Sequence, residues 1–205
     1  MKKIKIIVTL IEEMLGMTAA DPDIHSDHLA RKSADAEKIK EELAALPLET
    51  HIEKSMTVFP RNGDGIPIMW DYQLKGAIKE WFRLACDTAK GDIRVGKTKL
   101  SNYSHKRICD QFVFPAPRQI PIILPEGGEM GICTRPLRAT TLQGDRVALA
   151  TSETVPPGST MTLEITTLSD ELMPYIIEGL NYGKLRGLGQ WRNSGKGRFE
   201  WKEVD

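Results

Sequence analysis

Aromatic residues, cysteines and net charge are all scarce in this chain of 205 residues. Aromatic residues make up only 6% of the sequence, so leucine, isoleucine, valine and methionine must fill most of the core. The 28 basic and 28 acidic residues cancel at neutral pH, which excludes a protein that binds nucleic acid through a global positive charge. Any anion-binding function must therefore come from local clusters of charge.

The cysteines Cys86, Cys109 and Cys133 are odd in number and lack CxxC spacing. This pattern argues against a disulfide framework and a zinc site, and it favours a reducing compartment. No apolar run reaches the roughly 18 residues of a membrane-spanning helix. The N-terminal segment begins like a signal peptide, but Lys5 interrupts its apolar run and two glutamates end it. We therefore expect a cytoplasmic protein with no cofactor, no metal site and no membrane partner.

Hydrophobic periodicity and turn residues predict alternating strands and helices. For the N-terminal half we predict a strand over 3–14, a loop over 15–31, a helix over 33–45 with Ser33 as N-cap, a short strand over 52–60 and a turn over 61–67. A long helix follows over 70–90 with Asp71 as N-cap, and then an exposed basic hairpin or loop over 91–107. The rest is predicted as a β-rich middle, a helix over 169–183 that Ser169 or Asp170 caps and Asn181 to Gly183 ends, and a final strand at GRFEWKEV.

This order of elements suits an α+β fold with a ferredoxin-like (RRM-like) β-α-β-β-α-β core. We expect a single domain over residues 1–205, with peripheral insertions at about 15–66 and 91–107. Because many α+β folds share such an order, the function must be argued from motifs.

The segment from Gly187 to Gly197 has the spacing G-x-G-x5-G-x-G. Between residues 183 and 202 the chain carries six lysines or arginines and one acidic residue, Glu200. Glycines let backbone amides approach an anion, the cations supply charge, and Trp191 and Phe199 offer rings for base stacking. The pattern predicts a phosphate-and-base binding loop. The alternative is a glycine-rich turn between a helix and an edge strand, with its arginines in solvent.

Two motifs make the chain resemble the RAMP superfamily of CRISPR-associated proteins. The glycine-rich segment, leading into a terminal strand, looks like the RAMP glycine-rich loop. Upstream, Lys75, Gly76 and Lys79 are similar to the S-x-x-K-G-x-x-R helix start of RAMP backbone subunits, with Lys79 in place of the arginine. The resemblance implies a RAMP-type fold and RNA as partner. It also implies other RAMP-type subunits, or a second copy in a homo-oligomer, and a compact phage or prophage relative fits the length.

The resemblance places Lys75 and Gly76 at a helix N-terminus near a guide RNA. The glycine-loop match places four glycines beside RNA or beside the first helix, namely Gly187, Gly189, Gly195 and Gly197. The side chains expected to bind RNA with them are Lys184, Arg186, Trp191, Arg192, Lys196 and Arg198. The run TRPLRATTLQGDR adds Arg135 and Arg138 as a second anion-contacting surface, with an arginine-decorated strand pair as the alternative. The basic segment 96–107 is either a thumb-like hairpin over RNA or a solvent-exposed loop.

The histidines available for acid–base chemistry are His25, His28, His51 and His105. RAMP endoribonucleases pair a histidine with tyrosine, serine or lysine to cleave RNA through its 2′-hydroxyl. His25 and His28, in the sequence HSDH, are the catalytic candidates, and the alternative is a pair of solvated loop histidines. Three aspartates occupy an early loop like the one from which type III backbone subunits supply a target-cleaving aspartate, namely Asp21, Asp23 and Asp27.

The sequence leaves three functions open. The first is a RAMP-like protein that holds single-stranded, guide-type RNA through the C-terminal loop without catalysis. The second is a metal-independent endoribonuclease of the RAMP type. The third is a phage protein that uses the fold to bind a partner or a small nucleotide.

Overall fold

The computed structural model describes residues 1–30, 35–47, 55–88, 94–95, 98–99, 104–141 and 144–204. Its helices are α1 (Pro22–Ala30), α2 (Ala36–Ala44), α3 (Asp71–Thr88), α4 (His105–Phe112) and α5 (Met173–Arg186), with short 3-10 turns at Asp170–Leu172 and Arg192–Ser194. Its strands are β1 (Lys2–Leu10), β2 (Met14–Leu15), β3 (Thr18–Ala19), β4 (Thr57–Val58), β5 (Ile68–Trp70), β6 (Arg94–Val95), β7 (Thr98–Lys99), β8 (Val113–Ala116), β9 (Gln119–Pro121), β10 (Gly131–Thr141), β11 (Gly144–Val155), β12 (Thr160–Thr167) and β13 (Phe199–Glu203).

A four-stranded sheet with the order β13-β1-β12-β8 forms the centre of the fold. Each neighbouring pair in it is antiparallel. With α3 between β1 and β8, and α5 between β12 and β13, the core reads β-α-β-β-α-β along the chain. This is the ferredoxin-like topology, so the predicted fold class is confirmed.

Both core helices pack against the same hydrophobic core as the inner face of this sheet. Every second residue of β1 is buried, as expected for a strand with one covered face: Ile4, Ile6, Val8 and Leu10. Helix α3 buries a stripe at helical spacing: Leu74, Ile78, Trp81 and Phe82. Helix α5 comes close because Gly183 makes room for the Trp81 ring, which a Cβ at Gly183 would meet at 2.7 Å.

Other elements are inserted between these core elements. Helices α1 and α2 and strands β2 to β5 lie between β1 and α3, whereas β6, β7 and α4 lie between α3 and β8. Strand β9 and the long β10–β11 hairpin lie between β8 and β12. Strand β11 also pairs with β2 and β4, which ties this hairpin to the first insertion.

The N-terminal insertion differs from its sequence prediction. The predicted strand 3–14 is interrupted, since β1 ends at Leu10 and β2 begins at Met14. The predicted loop 15–31 contains β3 and α1, and Asp21 caps α1 by accepting two amide hydrogens at 2.9 and 3.4 Å. Asp35, and not the predicted serine, is the N-cap of α2. Only β4 is described within the predicted strand 52–60.

The later helices also begin and end at other residues than predicted. Helix α3 starts at Asp71, whose Oδ1 accepts the Tyr72 amide hydrogen at 2.8 Å. A 3-10 turn precedes α5, and Ser169 makes no side-chain cap bond. Helix α5 runs past the predicted end to Arg186, because Gly183 is an interior contact and Gly187, at φ 81°, ends the helix. Helix α4 begins inside the segment predicted as a basic hairpin or loop, of which β6 and β7 are described as a pair.

On the outer face of the central sheet, β1 and β12 carry mostly polar residues, whereas β8 carries the exposed ring of Phe114. Strand β1 carries Lys3, Lys5, Ile7 and Thr9 on this face, and the alternate residues of β12 are threonines and Glu164. RRM proteins stack bases on aromatic rings of this face, and β1 and β12 offer no such ring there. Among the described residues, no helix is long and apolar enough to cross a membrane, and no group of three or more histidine, cysteine, aspartate or glutamate side chains could hold a metal ion.

Candidate nucleic-acid interface

The glycine-rich segment uses its amide groups within the fold. Gly187, Gly195 and Gly197 donate their amide hydrogens to main-chain carbonyls of the same chain at 2.7, 2.9 and 2.8 Å. The prediction that these amides face an anion is therefore wrong for these three glycines.

These glycines are required for close packing of the backbone. A Cβ on Gly197 would lie 1.8 Å from the carbonyl oxygen of Leu188, and one on Gly189 would lie 2.6 Å from that of Leu15. Both glycines have positive φ, at 70° and 79°. The segment thus folds tightly on itself and against β2, and the Gly197 amide also binds the Glu13 carbonyl in the β1–β2 connection.

Lys184, near the end of α5, and Lys196, in the glycine-rich segment, are each paired with a carboxylate. Lys184 binds Glu200 at 2.6 Å. Lys196 binds Glu13, and this hydrogen bond raises the pKa of Lys196. Arg198 is half-buried. Of these three cations, the two lysines are paired with carboxylates, whereas the Nε of Arg198 is buried without a hydrogen-bond partner.

Two arginines of the segment share one carboxylate on α3. Arg186 and Arg192 each lie 2.8 Å from a Glu80 oxygen. Burial alone would raise the pKa of Glu80, but hydrogen bonds from both arginines outweigh burial and hold it below its usual range. Two guanidiniums against one carboxylate leave this triad with a net positive charge.

Arg135, in β10, is a buried cation with no carboxylate partner among the described residues. It is 4% exposed, and its guanidinium donates to Ser152 Oγ at 3.0 Å and to Gln190 Oε1 at 2.6 Å. Its Nε is buried without a hydrogen-bond partner. The guanidinium carbon lies 5.5 Å from the centre of the Trp191 ring, within cation–π range. A cavity of about 440 Å³ opens beside Arg135, Trp191 and Asn193.

Trp191 adopts a left-handed backbone conformation, with φ 56° and ψ 32°. For a residue with a large side chain this conformation costs about 1–2 kcal/mol relative to the right-handed region. Trp191 is nevertheless 39% exposed, so burial of its ring does not explain the strain. Strained residues of this kind concentrate at binding sites.

The outward face of α3 is open at Gly76. A Cβ built there has no protein atom within 4 Å. Four cavities, of about 520, 390, 200 and 370 Å³, all have Gly76 in their walls. The smallest of them also reaches Gly189 and Arg192, which line the cavity beside Arg135. We call this row of adjoining cavities the α3 groove.

Four cations on α3 and α4 line the α3 groove. Lys75 donates to the carbonyl oxygen of Asp110 at 3.1 Å, and burial lowers the pKa of Lys75. Lys79 pairs with the carboxylate of Asp110. Arg83 and Lys106 line the 370 Å³ cavity, are exposed, and have no carboxylate partner among the described residues.

A buried carboxylate docks α2 beside this groove. Glu42 is 3% exposed and accepts hydrogen bonds from the Tyr72 hydroxyl at 3.0 Å and from Arg118 at 2.8 Å. Burial raises the pKa of Glu42, against the opposing effect of the Tyr72 hydrogen bond and of Arg118. Burial and the nearby carboxylate also raise the pKa of Tyr72.

Both candidate catalytic histidines lie in helix α1 and not in the predicted loop, and they differ in solvent exposure. His25 is 3% exposed, with Nε2 3.8 Å from a Glu42 oxygen, and it forms part of the wall of the 390 Å³ cavity. His28 is exposed and lines the 390 Å³ cavity that Gly76 shares.

The predicted early-loop aspartates are helix residues. Asp23 and Asp27 lie in α1, and Asp21 caps it. His105 is buried at the start of α4. His51 and the side chain of Arg138 lie outside the described residues.

Sequence reasoning missed the residues that connect the two motifs. Glu80 and Arg83 follow Gly76 at helical spacing, so a helical wheel could have found them. Gln190, which holds Arg135, carried no such signal, because its partner lies 55 residues away in the sequence.

No protein-family model and no characterised protein sequence matches this chain. Solved structures do match it. Cmr6 from Pyrococcus furiosus has a TM-score of 0.51 at 12% identity, over 99% of this chain and 98% of that one. A chain of the Type III-B Cmr-beta bound to cognate target RNA has a TM-score of 0.50 at 13% identity, over 100% of this chain and 60% of that one. This chain therefore spans about 60% of the length of that neighbour. At such identities the likeness shows a common fold, and residue roles must come from geometry.

Proposed function

We propose that this protein, which has the RAMP-type ferredoxin-like fold expected from its sequence, binds single-stranded, guide-type RNA along the α3 groove without cleaving it. It acts in the cytoplasm, and its partners are the RNA and other RAMP-type subunits. In support of RNA as a ligand, one structure of the same fold is described as bound to cognate target RNA.

The open space at Gly76 is the observation that carries this proposal. Glycine inside a helix is destabilising by roughly 0.5–1 kcal/mol relative to alanine. Gly76 nevertheless stands in the second turn of α3, where no atom of the described part of the chain occupies the space of a side chain. An RNA backbone that crosses α3 at this point would fill the space that a side chain would otherwise occupy, which accounts for glycine at this position.

Side-chain charge supports an anionic polymer. Lys75 and Lys79 flank Gly76, and Arg83 lies one turn beyond Lys79 on the same helix face. At the other end of the groove, Arg186 and Arg192 share Glu80 and retain an excess of positive charge. In this proposal the glycine-rich segment holds Arg192 and Trp191 in position, whereas side chains contact the phosphates.

Filling the space at Gly76 tests the proposal directly. The variant Gly76→Gln should lower the affinity for a fluorescein-labelled, unstructured RNA at least about tenfold in an anisotropy titration, because a side chain would stand in the groove. Its melting temperature should be unchanged or higher, since glutamine is a better helix former than glycine.

The matched control is Gly63→Gln, in an exposed turn where a Cβ also has nothing within 4 Å. This variant should bind RNA as the wild type does. Wild-type affinity in Gly76→Gln would contradict the proposed path of the RNA.

Salt dependence provides a second test. Four phosphate contacts on a single strand predict roughly a 50-fold loss of affinity between about 50 and 200 mM salt. The same titration, repeated across this range, checks the expectation. An affinity that does not change with salt would exclude binding through phosphates.

A metal-independent endoribonuclease is the second candidate, and the position of His28 favours it. His28 is exposed in the cavity that adjoins Gly76, where a bound strand would come within its reach. If the protein is a nuclease, labelled hairpin RNA is cleaved in the presence of EDTA by the wild type and not by His28→Ala. An absence of cleavage by the wild type removes this candidate and leaves RNA binding without catalysis.

A further inference from the structure

We propose that Arg135 and Trp191 form a subsite for one nucleotide unit of the bound RNA strand. The base stacks on the exposed part of the Trp191 ring, and the adjoining phosphate lies in the cavity beside Arg135. This inference rests on the proposed function, because the subsite adjoins the α3 groove through Gly189 and Arg192.

The first argument is the charge of Arg135. A buried ion without a counter-ion is costly unless a ligand or hydrogen bonds compensate it. Ser152 and Gln190 satisfy part of the guanidinium, and Nε is left without a partner. No carboxylate lines the cavity beside it, whose other cations are Arg186 and Arg192. An anion in this cavity would supply the missing charge.

The second argument is the geometry of Trp191. The left-handed backbone and the Arg135 guanidinium hold this ring at the wall of the cavity, although the ring remains 39% exposed. By contrast, Trp70 and Trp81 in the core are 0% and 1% exposed, and Trp201 is half-buried against it. Aromatic rings held open beside a cation are the usual stacking platform for single-stranded nucleic acid.

The third argument is size. The cavity of about 440 Å³ lies within the range of about 300–1,000 Å³ that is common for small-ligand sites. Asn193 and Gln190 line it with amide groups that can reach the edge of a base. The exposed ring can stack on one base, the two amides can bind its edge, and the buried cation can bind one phosphate. The lining of the cavity therefore matches one nucleotide unit.

The test compares a uridine-rich RNA with an abasic ribose-phosphate chain of the same length, for the wild type and two variants. Trp191→Asn should weaken binding of the RNA by roughly 5- to 100-fold, the range for loss of one stacked base. It should weaken binding of the abasic chain less than about twofold, since that chain has no base to stack. Arg135→Gln should weaken both ligands by the same factor, because a phosphate contact is independent of the base.

Two controls separate this role from folding. Asparagine tolerates the left-handed conformation, so Trp191→Asn should melt at or above the wild-type temperature. Trp191→Phe keeps a ring for stacking and should retain most of the affinity. If Trp191→Asn weakens both ligands equally, or if Arg135→Gln affects neither, the subsite is wrong while the proposed function stands. If the wild type binds neither ligand, both are wrong. Preference for free uridine monophosphate over the polymer would overturn the assignment to a strand.

Discussion

Glycine has opposite uses in the C-terminal segment and on the outward face of α3. In the segment, a Cβ on Gly187 or Gly197 would lie 2.5 or 1.8 Å from a carbonyl oxygen of the protein. On α3, a Cβ on Gly76 would meet nothing within 4 Å. Gly187 and Gly197 are therefore needed for close packing within the protein, whereas we propose that Gly76 leaves space for a ligand.

The cations of the two regions differ in the same way. The lysines of the C-terminal segment are neutralised by Glu13 and Glu200. Arg83 and Lys106, by contrast, face the α3 groove without a carboxylate partner among the described residues. A high density of glycine and positive charge in the sequence therefore does not locate a binding surface. The surface is located by the open space and the unpaired charge that remain after folding.

The largest expected effect is on stability, in Gly197→Ala. The new Cβ would collide with the Leu188 carbonyl at a positive φ, so we expect a loss of about 3 kcal/mol or more in free energy of unfolding. Urea denaturation measures it. The control Gly195→Ala meets only Arg198 Cδ, at 3.9 Å, and should lose about 1–2 kcal/mol from backbone strain alone. Equal losses would mean that the two glycines do not differ in packing.

The next effect has the opposite sign, in Gly76→Ala. This change should raise the free energy of unfolding by roughly 0.5–1 kcal/mol, because alanine is the better helix former and its methyl group meets no atom. The same urea denaturation detects it. A destabilised Gly76→Ala would show that protein, and not ligand, fills this space.

The smallest effect concerns pH and the docking of α2 on α3. The pKa of Glu42 is raised by burial above its ordinary 4.5, so the folded state binds more protons than the unfolded state above that pH. The contribution of Glu42 to stability is therefore full below pH 4.5 and declines as pH rises through the raised pKa. Subtracting the urea-denaturation profile of Glu42→Gln from that of the wild type isolates this decline. A difference that stays constant with pH would contradict it.

The core could be predicted from the sequence because its signals are local and periodic. The alternating apolar residues of β1 and the helical stripe of Trp81 and Phe82 each point to one buried face. The order of these elements suited the ferredoxin-like topology, which the strand order of the sheet then confirmed. Boundaries were less accurate where a long-range contact overrides a local preference, as at Gly183, whose contact with Trp81 keeps α5 helical.

The candidate site was only partly predictable. Gly76 and Arg135 were predicted and both line cavities, but the predicted amide-presenting loop is wrong, because one glycine spacing serves both anion binding and close backbone packing. His25 was assigned to a loop because α1 has no clear apolar stripe, and no local pattern indicated that Glu42 would lie beside it. The partners of Arg135 come from β11 and from the C-terminal segment, and no local pattern joins them.

The position of β1 at the interior of the sheet has a consequence for the order of assembly. Both neighbours of this first strand, β12 and β13, come from the far end of the chain. Strand β1 therefore acquires its second neighbour, and the sheet closes, only after β13 has been synthesised. Such non-local pairing is typical of slow folding, and both backbone edges of β1 lack these partners until then, which is the stage at which a chaperone would be of most use.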